Sequence, residues 1–96
     1  MSYTVYVFTM GGCGHCKNLK NALTEKSLPF TEIEVSNNKK LWDQVVNQTK
    51  IDFVPTIFIK RGDSGTGPVF CPDRDFKSHE DAVEIVEKYL NENKEE

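Results

Sequence analysis

Hydrophobic and polar residues alternate along Tyr3-Thr4-Val5-Tyr6-Val7-Phe8, a run rich in β-branched and aromatic side chains, and this period of two predicts a strand. Gly11-Gly12 breaks the run. From Cys13 the period changes: Cys16, Leu19 and Leu23, with Ala22 beside them, recur at helical spacing, and Leu28-Pro29 marks the end of the predicted helix. Phe30-Thr31-Glu32-Ile33-Glu34-Val35 returns to period two and predicts a second strand, which a helical connection makes parallel to the first. Ser36-Asn37-Asn38 reads as a turn and cap ahead of a helix whose stripe is Leu41, Trp42, Val45, Val46 and Thr49. After Pro55, Thr56-Ile57-Phe58-Ile59 is short and apolar, as in a buried strand, and Gly62, Gly65 and Gly67 predict the loop that follows. Val69-Phe70-Cys71 returns as a hairpin partner. Ser78 and Asp81 have capping-box spacing for a last helix that turns Ala82, Val83, Val86, Tyr89 and Leu90 inward and frays over Glu92-Asn93-Lys94-Glu95-Glu96. The predicted order is β-α-β-α-β-β-α: an α/β fold with a four-stranded mixed sheet flanked by three helices.

With 96 residues, 38% of them hydrophobic, the chain suits one domain over residues 1–96, with no repeat, linker or low-complexity segment. Its 12 basic and 15 acidic residues leave a net charge of −3, which gives no electrostatic reason to expect nucleic acid or an anionic membrane as a partner. Three cysteines leave at least one unpaired, unlike the even-numbered framework of a small secreted scaffold, so a reducing compartment is expected. Met1-Ser2-Tyr3 enters strand-like sequence with no secretory pattern, and the expected location is cytoplasmic.

Cys13-Gly14-His15-Cys16 opens the first helix directly after a strand and a glycine turn. A thiolate is the attacking species in disulfide exchange, and the positive end and free N–H groups of a helix N-terminus favour it. Two intervening residues let the second thiol close a ring. Cys13, at the helix tip, is therefore the expected nucleophile and Cys16, one turn inside, the resolving thiol. Two alternatives are a pair of inert buried cysteines, and a zinc site joining Cys13 and Cys16 to Cys71 and His79. The single tight Cys pair argues against zinc, and no metal is expected. His15, when protonated, stabilises the thiolate and is expected to make the couple more oxidising than thioredoxin's roughly −270 mV. Lys17 and Lys20 read as solvated surface charges. Cys71 has three readings, as a small buried hydrophobe, a regulatory thiol or a metal ligand, of which burial is favoured. Val54-Pro55-Thr56 is the second signal, since proline entering a strand lacks a ladder N–H.

In length and element order the chain resembles the glutaredoxin branch of the thioredoxin superfamily. Phe8-Thr9-Met10-Gly11-Gly12-Cys13-Gly14-His15-Cys16 is similar to that family's first strand and active-site turn, and Phe53-Val54-Pro55-Thr56-Ile57-Phe58-Ile59 to its Thr-Val-Pro segment. The resemblance implies a thioredoxin-like fold, a cis Pro55 facing the cysteines, a Val54 backbone that pairs with the cysteinyl part of glutathione, and an acidic residue that holds the glutathione amino group. Asp73 is the best match for that acid and Asp75 the competitor. It further implies a monomeric oxidoreductase that takes glutathione as its reducing co-substrate and acts on disulfide-containing or glutathionylated proteins, with ribonucleotide reductase among the candidate partners. A [2Fe–2S] cluster held between two copies through Cys13 and glutathione is the alternative binding role, and exchange without glutathione the alternative chemistry. The sequence also departs from the pattern. Cys-Gly-His-Cys is typical of disulfide isomerases, yet Gly12 stands where they carry tryptophan and Val7 where they carry a buried acid. Met10 replaces a lysine frequent in glutaredoxins, Phe53 a threonine, and a Gly-Gly before the acidic residue is missing; these departures bear on glutathione affinity.

Overall fold

The computed structural model describes residues 3–62, 65 and 67–94. In chain order the elements are β1 (Tyr3–Thr9), α1 (Gly14–Glu25), β2 (Thr31–Glu34), a single 3-10 turn (Val35–Asn37), α2 (Lys39–Thr49), β3 (Thr56–Arg61), β4 (Val69–Phe70) and α3 (His79–Lys94). The strands lie in the order β2-β1-β3-β4, with β2 parallel to β1, and β3 and β4 each antiparallel to its inner neighbour. The element order is the predicted one. Of the fraying expected at the C-terminus, Glu95 and Glu96 lie outside the described residues, as do positions 63, 64 and 66 of the glycine loop.

Alternation along the two central strands explains why helices cover both faces. Val5 and Val7 of β1, with Ile57 and Ile59 of β3, point to one side, where Leu19 and Leu23 of α1 and Val86 of α3 complete the larger core. Phe8 and Phe58 point to the other side and meet Trp42 and Val45 of α2. There the Phe8 and Trp42 rings lie 5.4 Å apart, and Tyr6 stacks on Phe58 at 5.8 Å. Each fully buried Leu, Ile or Phe contributes roughly 1.5–3 kcal/mol relative to exposure, so both layers are needed to hold β1 in the middle. Leu41 departs from the expected stripe and is 41% exposed. The buried face of α2 is centred on Trp42, Val45 and Thr49, and Leu41 falls on its rim.

Element boundaries shift where local hydrogen bonds outcompete the pattern. The strand expected to include Phe30 and Val35 is Thr31–Glu34, because Glu34 pairs with Thr9, the last residue of β1, and Val35 has no ladder partner. Val35 turns instead and accepts from the Asn38 N–H at 3.1 Å. Asn38 is the N-cap of α2, yet its side chain donates to the Glu34 carbonyl at 3.0 Å and does not cap the helix. Cys71 falls outside β4, because its N–H donates to the Asp75 carboxylate at 2.8 Å and leaves the ladder. The first helix ends before Leu28-Pro29: Ser27 takes a left-handed φ of 57°, and the N–H groups of Ser27 and Leu28 bond back to Thr24 and Leu23 in a Schellman closure. Ser78 caps α3 by accepting from the Asp81 N–H at 3.2 Å, but Asp81 reaches back to the Lys77 N–H, one residue beyond the usual capping box.

Candidate active site

β1 ends at Thr9, and the chain reverses through Met10-Gly11-Gly12, a turn closed by the Cys13 N–H on the Met10 carbonyl at 3.2 Å. Gly12 has φ +80°, a conformation that a side chain would strain, so the glycine sets the turn that delivers Cys13 to the helix tip. Cys13 is the N-cap of α1: its Sγ accepts from the Cys16 N–H at 3.1 Å, and its carbonyl receives the first helical bond, from Lys17. No acidic residue occupies the first turn of α1 to oppose a thiolate there. Cys13 and Cys16 form a disulfide with their Cα atoms 5.3 Å apart. Cys13 is half-buried and Cys16 is 2% exposed, so an incoming sulfur reaches the pair through Cys13. A linked pair at a helix tip is not the pair of inert core thiols.

The Val54–Pro55 peptide bond is cis, as the resemblance implied. The segment is closed by Thr56, whose hydroxyl donates to the Phe53 carbonyl at 2.7 Å. His15, Val54, Pro55 and Asp73 come together around one cavity of about 440 Å³, whose mouth carries the exposed side chains of Met10 and Phe53. Asp73 holds φ +68° and donates its N–H to the Phe76 carbonyl at 2.8 Å, a loop geometry that brings it to this cavity. Asp75 is engaged elsewhere, accepting from the Cys71 N–H and from Arg74 at 2.8 Å. Of the two competing acids, Asp73 is the one at the cavity.

The cysteines themselves line a second concavity, of about 620 Å³, and Met10 borders both. Thr9, Lys17, Lys20 and Glu32 share this second space with the sulfurs. The Glu32 carboxylate accepts from the Thr9 hydroxyl at 2.6 Å and from the Lys20 ammonium at 2.9 Å, and these bonds, Thr9 first, hold its pKa below the ordinary 4.5. Lys20 is thus an ion-pair partner where the sequence suggested a solvated charge. No motif announces this group. The one available signal was that Lys20 lies one helical turn beyond Cys16, facing the polar side of an alternating strand.

Cys71 is 0% exposed, and burial pushes its thiol above the ordinary 9.0, which fits the small buried hydrophobe. The zinc alternative is not assembled: among the described residues no group of three or more His, Cys, Asp or Glu is placed to hold a metal ion, and His79 lies at the first cavity.

Comparison with known proteins agrees with this architecture. The chain is 36% identical over 63 residues to an N-acetyl-S-hydroxy-L-cysteine reductase of Bacillus subtilis, a match that covers 66% of this chain and 68% of that protein. The fold is similar to a buckwheat glutaredoxin solved as its glutathione complex, with a TM-score of 0.63 at 18% identity over 94% of this chain and 78% of the other. It is also similar to the holo form of glutaredoxin C1 from a Populus tremula hybrid, with a TM-score of 0.57 at 21% identity over 93% and 79%. At such identities the structural likeness is one of fold: this is a thioredoxin-like glutaredoxin fold. The family model for glutaredoxin matches residues 5–63, from the first strand through the redox turn to the strand after the cis proline. That match spans more than half of the chain, so the chain belongs to the glutaredoxin family.

Proposed function

We propose that this thiol oxidoreductase is glutathione-linked and reduces protein disulfides or glutathione mixed disulfides through the Cys13/Cys16 dithiol. The observation that carries the proposal is the cavity where His15 of the first turn of α1, the Val54-Pro55 segment and Asp73 converge, and which shares Met10 with the concavity that the two cysteines line. In the reduced protein the Cys13 thiolate attacks a glutathionylated substrate at the glutathione sulfur. The substrate leaves as a thiolate, and Cys13 carries the glutathione as a mixed disulfide. A second glutathione thiolate then attacks that glutathionyl sulfur, releasing oxidised glutathione and the Cys13 thiolate; alternatively the Cys16 thiolate attacks Cys13 Sγ, expels glutathione as its thiolate and closes the intramolecular disulfide. In this reading the Val54 backbone pairs with the cysteinyl peptide group of glutathione and the Asp73 carboxylate receives its ammonium, two residues that line the same cavity. Cytosolic location and monomeric action accompany this reading.

The Bacillus relative supports a second reading, in which the substrate is a small acylated cysteine with an oxidised sulfur and the Cys13 cavity holds that single residue. Both readings use Cys13 identically and differ in reductant and substrate. A glutathione-coupled assay on a glutathionylated peptide tests the first: activity survives Cys16→Ser and is lost in Cys13→Ser. If glutathione fails to reduce the wild-type disulfide at all, the glutathione linkage is wrong.

A further inference from the structure

The second concavity holds a charge arrangement that the exchange mechanism above does not use. Lys20 lies four residues after Cys16 and seven after Cys13, so the three positions share one face of α1. Helical side chains lean toward the helix N-terminus, which directs the Lys20 stem back toward the sulfurs. Its ammonium is tied at 2.9 Å to Glu32 on β2, and Glu32 is tied at 2.6 Å to Thr9, the buried last residue of β1, directly before the active-site turn. A lysine left to itself would spread over many rotamers and be screened by solvent. Here two strands restrict it.

We propose that Glu32 and Thr9 are positioning residues that hold the Lys20 ammonium beside the Cys13/Cys16 sulfurs, where it stabilises the thiolate formed when the disulfide is reduced. A dithiol reductant supplies the two electrons of that step: the Cys13–Cys16 bond breaks, the reductant becomes a disulfide, Cys16 takes up one of its protons, Cys13 remains a thiolate and the other proton goes to water. The charge left on Cys13 is what Lys20 faces. The ionisable groups around this concavity are Lys17 and Lys20 from α1 and Glu32 and Glu34 from β2; the turn Met10-Gly11-Gly12 contributes none. Thr9 and Lys20 bond the charged form of Glu32 and hold its pKa below 4.5, so the carboxylate that anchors Lys20 is ionised above that pH. The inference concerns the exchange chemistry and is independent of whether glutathione is the reductant.

The test is a titration of the Cys13 thiolate by its ultraviolet absorbance in the reduced protein, together with the rate of its alkylation across pH. Lys20→Met is expected to raise the apparent thiol pKa enough to leave about threefold less thiolate at a pH below it, the size set by one partly exposed charge. Lys20→Arg restores the wild-type titration. Thr9→Val, which removes the anchor without changing any charge, reproduces part of the rise when Lys20 is present and adds nothing in the Lys20→Met background. An unchanged titration in Lys20→Met overturns the proposal, as does an additive Thr9→Val effect, which would mean that Thr9 acts on the sulfur by itself.

Discussion

Three cysteines of identical chemistry are given different roles by position. Cys13 caps a helix and is half-buried, Cys16 lies one turn deeper, and Cys71 sits behind the sheet edge with no exposed surface. Burial disfavours the Cys71 thiolate, raising its pKa above 9.0, so the thiol contributes to stability below that value and the contribution is lost as pH rises past it. In the folded, reduced protein at neutral pH, brief treatment with iodoacetamide should therefore label Cys13 and spare Cys71, with full labelling of Cys71 only after denaturation. Peptide mapping by mass spectrometry reads this directly, and rapid native labelling of Cys71 would show that it is not the inert core thiol described here. The placement of Cys13 at a helix tip was legible in the sequence because a glycine turn and a helix start announce themselves locally. The role of Cys71 was less so, since the Asp75 carboxylate that takes its N–H out of the strand acts through a loop and not through a period.

At the scale of elements, the patterns that predicted strands and helices are those that the packing uses, with Val5 and Val7 on one face of β1 and Phe8 on the other. Where the reading failed, a partner from another element decided. Val35 leaves the strand because β1 ends opposite Glu34, and Lys20 is captured by a residue of β2 that no window of the sequence places beside it. The Thr9–Glu32–Lys20 group joins β1, β2 and α1 just behind the redox turn. Since the folded Glu32 pKa lies below 4.5, its contribution to stability is complete above that pH and is lost as pH falls through the lowered value. Denaturant unfolding followed across the acid range should show a shallower acid decline for Glu32→Gln than for wild type, while the two respond to pH alike near neutrality. Equal acid declines would mean that the bonds to Thr9 and Lys20 do not persist in solution. The effect is small because the Glu32 side chain is 39% exposed.

In the whole molecule, a four-stranded sheet with helices on both faces brings His15 of α1, the cis-proline segment and the Asp73 loop to one cavity, and the Lys20–Glu32 pair to a second concavity with the two cysteines. The first assembly draws on segments about forty and sixty residues away from Cys13 along the chain, so only the family resemblance could foresee it; spacing along the sequence carries no such information. It also leaves Met10 and Phe53 exposed at that cavity, an apolar surface open to solvent. Whether that cavity takes glutathione is the central claim. It is tested most directly by incubating Cys16→Ser with oxidised glutathione and measuring the intact mass and the modified peptide. One glutathione per chain is expected, attached at Cys13, with an adduct yield that falls when Asp73 is replaced by Asn. No adduct, or an adduct at Cys71 with Cys13 free, would contradict it.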